Sequence, residues 1–166
     1  MKRSKNHFKE LYEANYPKVM RLCLGYVKGD EMLAKDLTQE VFMKVWEHME
    51  TFREAASIST WIYRIAVNTC LMALRDRKKI QKTPQVETLS LPNVESNLDE
   101  KEAQLMQLQR CINKLPEASK TIILLELEGV PQKEISAITG ISHEAIRVRI
   151  HRIKNNLTKC IKHESI

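Results

Sequence analysis

The chain has 166 residues, 43% of them hydrophobic, and carries 27 Lys and Arg against 21 Asp and Glu, a net charge of +6. That length suits one domain or two small ones. With 4 Gly and 5 Pro it lacks the turns of a β-sandwich or barrel and the Gly-rich loop of a phosphate-binding α/β enzyme. No apolar run approaches the ~20 residues that span a bilayer. Met1 to His7 leads into an amphipathic segment, not an apolar one, so no secretory signal is expected. Cys23, Cys70, Cys111 and Cys160 have neither zinc nor redox-motif spacing. The expectation is four reduced thiols in a cytoplasmic protein that needs no metal or cofactor.

Charge divides the chain further. Residues 1–80 hold 15 basic and 10 acidic residues, residues 81–105 hold 2 and 5, and residues 106–166 hold 10 and 6. Two basic segments therefore flank an acidic one. Residues 81–97 have Pro84, Pro92 and many polar side chains without period. They read as a linker, or else as a long surface loop within one domain.

The first module, residues 1–80, reads as three helices. From Phe8 to Val27, apolar residues recur near a period of 3.6, with Pro17 expected to kink or break the helix near Tyr16. Gly29-Asp30 is a turn, with Asp30 as N-cap. Leu33, Leu37, Val41, Val45 and Met49 then form one stripe, with Ala34, Phe42 and Trp46 beside it. Ser57 or Ser59 caps a third helix to about Lys79, whose inward stripe is Trp61, Ile62, Ile65, Ala66, Thr69 and Met72.

The second module, residues 106–166 behind a linker placed at 81–105, has four helical pieces. One runs from about Leu98 to Leu115. Pro116 opens a second that stops at Gly129, and Pro131 a third through Thr139. Thr139-Gly140-Ile141-Ser142 is a tight turn, with Ser142 as N-cap of the last helix from His143 to about His163. The fold class is thus all-α: two small helical domains joined by a flexible linker.

The strongest functional signal is residues 131–154. A short helix, a turn glycine, an apolar plug at Ile141 and a second helix make a helix-turn-helix pattern. That second helix is apolar along Ala145, Ile146, Ile150 and Ile153. Ser142, His143, Arg147, Val148, Arg149, His151 and Arg152 occupy its start and its polar side. Guanidinium groups placed this way fit a DNA major groove.

Residues 36–46 offer a mixed surface. With Leu37, Val41 and Val45 inward, Asp36, Gln39, Glu40, Phe42 and Lys44 remain for a partner protein, or form an ordinary solvated face. In the third helix region, Phe52, Trp61 and Tyr63 interleave with Arg53, Arg64, Arg75 and Arg77. Bases of single-stranded DNA stack on such aromatics while arginines hold phosphates. Asn68, near the inward stripe, is either a buried hydrogen-bonding residue or a base reader. No nucleophile elbow, phosphate loop or His-bearing carboxylate cluster supports an enzyme. A homodimeric helix-turn-helix repressor would leave the aromatic and basic third helix unexplained.

Taken together, Asp36-Leu37-Thr38-Gln39-Glu40-Val41-Phe42, Trp61 to Asn68, Leu115-Pro116-Glu117, Gly140-Ile141-Ser142 and Ile146 to Arg152 resemble a bacterial RNA polymerase sigma factor of the extracytoplasmic-function (ECF) branch. The resemblance covers about residues 8–79 and 106–158. It implies a transcription initiation factor, not an enzyme. Its partners would be core RNA polymerase, through the β′ clamp helices and the β flap, promoter DNA and an anti-sigma factor, with no membrane insertion. It further implies that Asp36, Gln39, Glu40, Phe42 and Lys44 dock on polymerase. Phe52, Arg53, Ser59, Trp61, Arg64 and Asn68 would take the minus-ten element, in part through the loop from Phe52 to Thr60. Ser142, His143, Arg147, Val148, Arg149, His151 and Arg152 would take the minus-thirty-five element. The chain departs from the family pattern at Met72, Asp76 and Val148, the last removing a hydroxyl from the DNA face.

Overall fold

A computed structural model describes residues 2–53, 56–80 and 99–164. Seven α-helices and no strands make up the described residues, in the order α1 (Lys2–Tyr26), α2 (Glu31–His48), α3 (Ile58–Ile80), α4 (Glu100–Asn113), α5 (Glu117–Leu127), α6 (Gln132–Thr139) and α7 (His143–Glu164). A short 3-10 turn at Met49–Thr51 follows α2. None of the described helices is long and apolar enough to cross a membrane.

Helices α1, α2 and α3 pack mutually to form the first module. Pro17 lies inside α1, which continues through it, so of the expected kink or break the break does not occur. A proline deletes one backbone hydrogen bond. Burial of Leu11, Val19, Leu22 and Cys23 on the same helix carries α1 through it. Asp30 caps α2 as expected, its carboxylate accepting from Leu33 N at 3.2 Å. Ser57, not Ser59, caps α3 by accepting from Thr60 N at 3.2 Å. Met72, expected inward on α3, is 57% exposed, so the buried stripe there ends at Cys70.

In the second module α7 packs against α4, α5 and α6. Ile146, Ile150, Ile153 and Leu157 are its buried stripe. Residues 100–105, expected in the linker, form the first turns of α4, and Leu105 stays exposed. The linker proper, residues 81–98, lies outside the described residues.

The expectation of four free thiols fails for two of them: Cys111 of α4 and Cys160 of α7 form a disulfide. They stand 49 residues apart, so no local spacing announces the pair; only the packing of α4 on α7 brings them together. Cys23 and Cys70 remain free and buried between α1 and α3. Cys70 Sγ donates to Cys23 Sγ at 3.6 Å, and that bond together with burial keeps the Cys70 thiol protonated.

The two modules also share one continuous core. Helix α1 meets α5 and helix α3 meets α6. At Gly25 a Cβ would stand 2.6 Å from Leu124 Cδ2, so any side chain there would have to displace the Leu124 methyl groups. Thr121 Oγ1 donates to Glu117 O, which leaves Tyr26 Oη as the donor in its 2.5 Å bond to Thr121. Lys120, 6% exposed, points its Nζ at Tyr26 O and Asn113 Oδ1, each 3.4 Å away. Burial and the nearby charge of Lys28 pull its pKa below the usual lysine value.

Candidate functional site

Three side-chain clusters lie on this frame. On α2, Asp36, Gln39 and Glu40 are exposed because Leu37, Val41 and Val45 take the inward positions. Lys44 is half-buried; its Nζ pairs with Glu40 Oε1 at 3.1 Å and donates to Thr69 Oγ1 at 3.1 Å. Phe42 does not belong to this face. It is 3% exposed and packs edge-on to Tyr12, ring centroids 4.8 Å apart, and beside Tyr16. The apolar component of the surface is Met32 and Met43, 80% and 63% exposed, which flank the acidic residues at helical spacing. Unbranched, polarizable methionines suit an adaptable protein contact. The signal for them was available: Met43 lies four residues after Gln39 and two from the buried Val41 and Val45.

The second cluster follows the start of α3. Phe52 and Trp61 stand ring against ring at 5.2 Å. Arg53 is exposed, and the half-buried Ser59 donates to Asn15 Oδ1 at 3.4 Å. Glu54 and Ala55 of the intervening loop lie outside the described residues. Asn68 is exposed and one turn beyond Arg64, so of the two readings left open the buried one is excluded. Arg64, Asn68, Met72 and Arg75 make a single exposed stripe on α3. Arg64 is nevertheless engaged: its Nη2 donates to Ala137 O at 2.6 Å, from α3 to α6. Ser57 likewise donates to Glu134 Oε1 at 3.4 Å.

The third cluster is the turn between α6 and α7. Gly140 adopts φ 75°, a left-handed conformation that stops α6 and reverses the chain. Ser136 Oγ donates to Ile141 O at 2.6 Å, and Ala145 N donates to Ser142 Oγ at 3.2 Å, so both sides of the turn are pinned. Ile141, expected as a buried plug, is only half-buried. The pins aim α7 with Ser142, His143, Arg147, Val148, Arg149, His151 and Arg152 all exposed. Val148 is 47% exposed in the middle of this basic face, where an apolar contact with a thymine methyl is available. Lys154 is held apart from it by Glu126, 3.2 Å away.

Helix-turn-helix and three-helix module match family models separately. Residues 11–80 match Sigma-70 region 2, and residues 105–157 match Sigma-70 region 4. The chain is 31% identical over 144 residues to RNA polymerase sigma factor SigZ of Bacillus subtilis, covering 86% of this chain and 81% of that one. It is 32% identical over 149 residues to the ECF RNA polymerase sigma-E factor of Escherichia coli, covering 82% and 77%. Two solved structures share the fold. The sigma factor RpoE of Bartonella quintana, solved with the anti-sigma factor NepR, superposes with TM-score 0.75 at 22% identity, over 94% of this chain and 97% of that one. CnrH, solved with the cytosolic domain of CnrY, gives 0.71 at 19% identity, over 96% and 90%. With both regions present in order on one helical frame, the chain belongs to the ECF branch of the sigma-70 family: it is a promoter-directing subunit of RNA polymerase, and catalysis of RNA synthesis is the polymerase's own.

Proposed function

We propose a division of labour among the three surfaces and a closed resting state. Asp36, Gln39, Glu40 and Lys44, with Met32 and Met43, dock on the β′ clamp helices. The α4 end of region 4 meets the β flap. Phe52, Arg53, Ser59, Trp61, Arg64 and Asn68 take the minus-ten element. Ser142, His143, Arg147, Val148, Arg149, His151 and Arg152 read the minus-thirty-five element. The chain works in the cytoplasm, where polymerase and promoter are.

The observation that carries this reading is the contact of Arg64 with Ala137 O. That bond holds the Arg64 guanidinium against region 4 in the closed form, and separation of the two regions would free it for the promoter. RpoE was solved with the anti-sigma factor NepR, and CnrH with the cytosolic domain of CnrY. By analogy, an anti-sigma factor holds this chain closed, and its release permits polymerase docking. Neither step forms a covalent bond. Docking and melting proceed by differential binding, in which pocket contacts to unpaired bases offset lost base pairing.

The test is reconstituted transcription on fragmented genomic DNA with core polymerase and this chain, followed by sequencing of transcript starts. A shared pair of upstream elements at the starts is the expected result. A folded chain that neither binds core polymerase nor directs any start overturns the reading.

A further inference from the structure

The Cys111–Cys160 bond joins the first and last helices of region 4, and its two sulfurs differ in access. Cys111 is 1% exposed, whereas Cys160 is half-buried. Its neighbour Ile161 lines an open groove with Lys101, Gln104, Leu105, Gln107 and Leu108. Solvent therefore reaches the bond from the Cys160 side. Cys23 and Cys70 give the contrast: they are in contact at 3.6 Å, fully buried and unbonded.

A cytoplasmic protein meets millimolar thiols that keep such bonds open, so a disulfide there is transient or redox-sensing as a rule. We propose that Cys111 and Cys160 form a reversible redox site, oxidised by peroxides and reduced by low-molecular-weight thiols, whose state sets how firmly α4 is held on α7. The proposal rests on the cytoplasmic location proposed for the chain. In oxidation the Cys160 thiolate attacks hydrogen peroxide, becoming a sulfenic acid and releasing hydroxide. The Cys111 thiolate then attacks that sulfur and expels a second hydroxide. The two thiol protons convert both hydroxides to water. In reduction an external thiolate attacks the accessible Cys160 sulfur, and Cys111 leaves as thiolate and is protonated. A second external thiol opens the mixed disulfide, so two thiols leave as one small disulfide.

The functional meaning lies in what α4 connects. It follows directly on residues 81–98 and carries the exposed Leu105 beside the groove. With the bond closed, α4 cannot leave α7. With it open, α4 is held by non-covalent contacts, among them packing around Cys111, Ile112 and Leu108.

The test uses the full chain treated with hydrogen peroxide, then with millimolar glutathione, with free thiols alkylated at each stage and peptides identified by mass spectrometry. Expected is a Cys111–Cys160 cross-linked peptide after peroxide, its loss after glutathione, and Cys23 and Cys70 as free thiols throughout. The oxidised chain should melt at least about 5 °C higher than the reduced one. Cys160→Ser, and independently Cys160→Ala, should abolish that difference while folding normally. A pair that stays reduced in peroxide, one that glutathione does not reopen, or melting points that coincide would each overturn the proposal. Thiol trapping needs no polymerase, so a chain inert in transcription would sink the functional reading without touching the redox site.

Discussion

Arg21 and Glu128, 107 residues apart, form a two-pronged ion pair across the seam between regions 2 and 4, with Nε to Oε1 and Nη2 to Oε2 both 2.9 Å. Arg21 is 57% exposed on its side chain, so this pair contributes at most ~1 kcal/mol despite its geometry. The seam is held mainly by what lies beneath it, where Leu124 covers Gly25 and Tyr26 reaches Thr121. Gly25→Leu should therefore open the molecule. The new side chain cannot share space with Leu124, and α1 itself gains roughly 0.5–1 kcal/mol of helix propensity. Small-angle scattering should show a larger radius of gyration with helical content unchanged. Binding of the polymerase-bound variant to minus-ten DNA should strengthen, because Arg64 is freed from Ala137 O. A folded variant as compact as the parent would show that the seam does not depend on this contact.

Ionisation of the seam gives a second prediction. Burial raises the Tyr26 phenol well above its ordinary value of 10, and Tyr63 is pushed up to about 12, chiefly by burial. Above pH 10 the folded chain thus binds more protons than the unfolded one, and stability falls as pH rises. Lys120 acts in the opposite sense. Its lowered folded value makes the unfolded chain bind more protons up to 10.5, which favours folding as pH climbs toward that value. Tyr26→Phe isolates the tyrosine contribution. Denaturant unfolding followed at intervals above pH 10 should show a shallower loss of stability in the variant. Parallel slopes would mean that Tyr26 ionises as freely folded as unfolded.

The helices, the caps at Asp30 and Ser142, and the turn glycine were legible in the sequence because each rests on neighbours within one or two turns. So were the exposed positions of α7, since the buried Ile146, Ile150 and Ile153 leave Arg147, Val148, Arg149 and Arg152 nowhere else to point. What escaped depends on long-range packing. Phe42 sits at the border of the buried stripe of α2, and only the position of Tyr12 and Tyr16 on α1 decides that it turns inward. Met72 lies at the other kind of border, on α3, and turns out. The Cys111–Cys160 bond and the whole seam between the regions join residues separated by 49 and by about a hundred positions, where periodicity carries no information.

Separating core from surface on α2 yields a third prediction. Phe42→Ala removes a buried ring from an aromatic cluster and should lower stability by ~3–5 kcal/mol. Met43→Glu, at a 63% exposed position, should leave melting unchanged and weaken core polymerase binding at least tenfold. Pairing thermal melts with a polymerase-binding titration distinguishes them. If Met43→Glu binds polymerase as the parent does, the docking face lies elsewhere.

The proposed role of Arg147 in the minus-thirty-five element distinguishes base reading from backbone holding. Arg147 is exposed one turn before His151 and beside Val148, on the face that the Ser142 cap presents outward. A guanidinium bonded to a base edge discriminates at one position, whereas one bonded to phosphate adds affinity everywhere and steepens the salt dependence. Arg147→Ala should cost about 1–3 kcal/mol on the preferred duplex and relax preference at a single base pair. The measurement is binding of the full chain with core polymerase to a panel of duplexes, each changed at one position of the upstream element, at two salt concentrations. A loss spread evenly over the panel, together with a salt slope reduced by about one, would assign Arg147 to the backbone. Base reading would then fall to Arg149, Arg152 and the methyl groups of Val148.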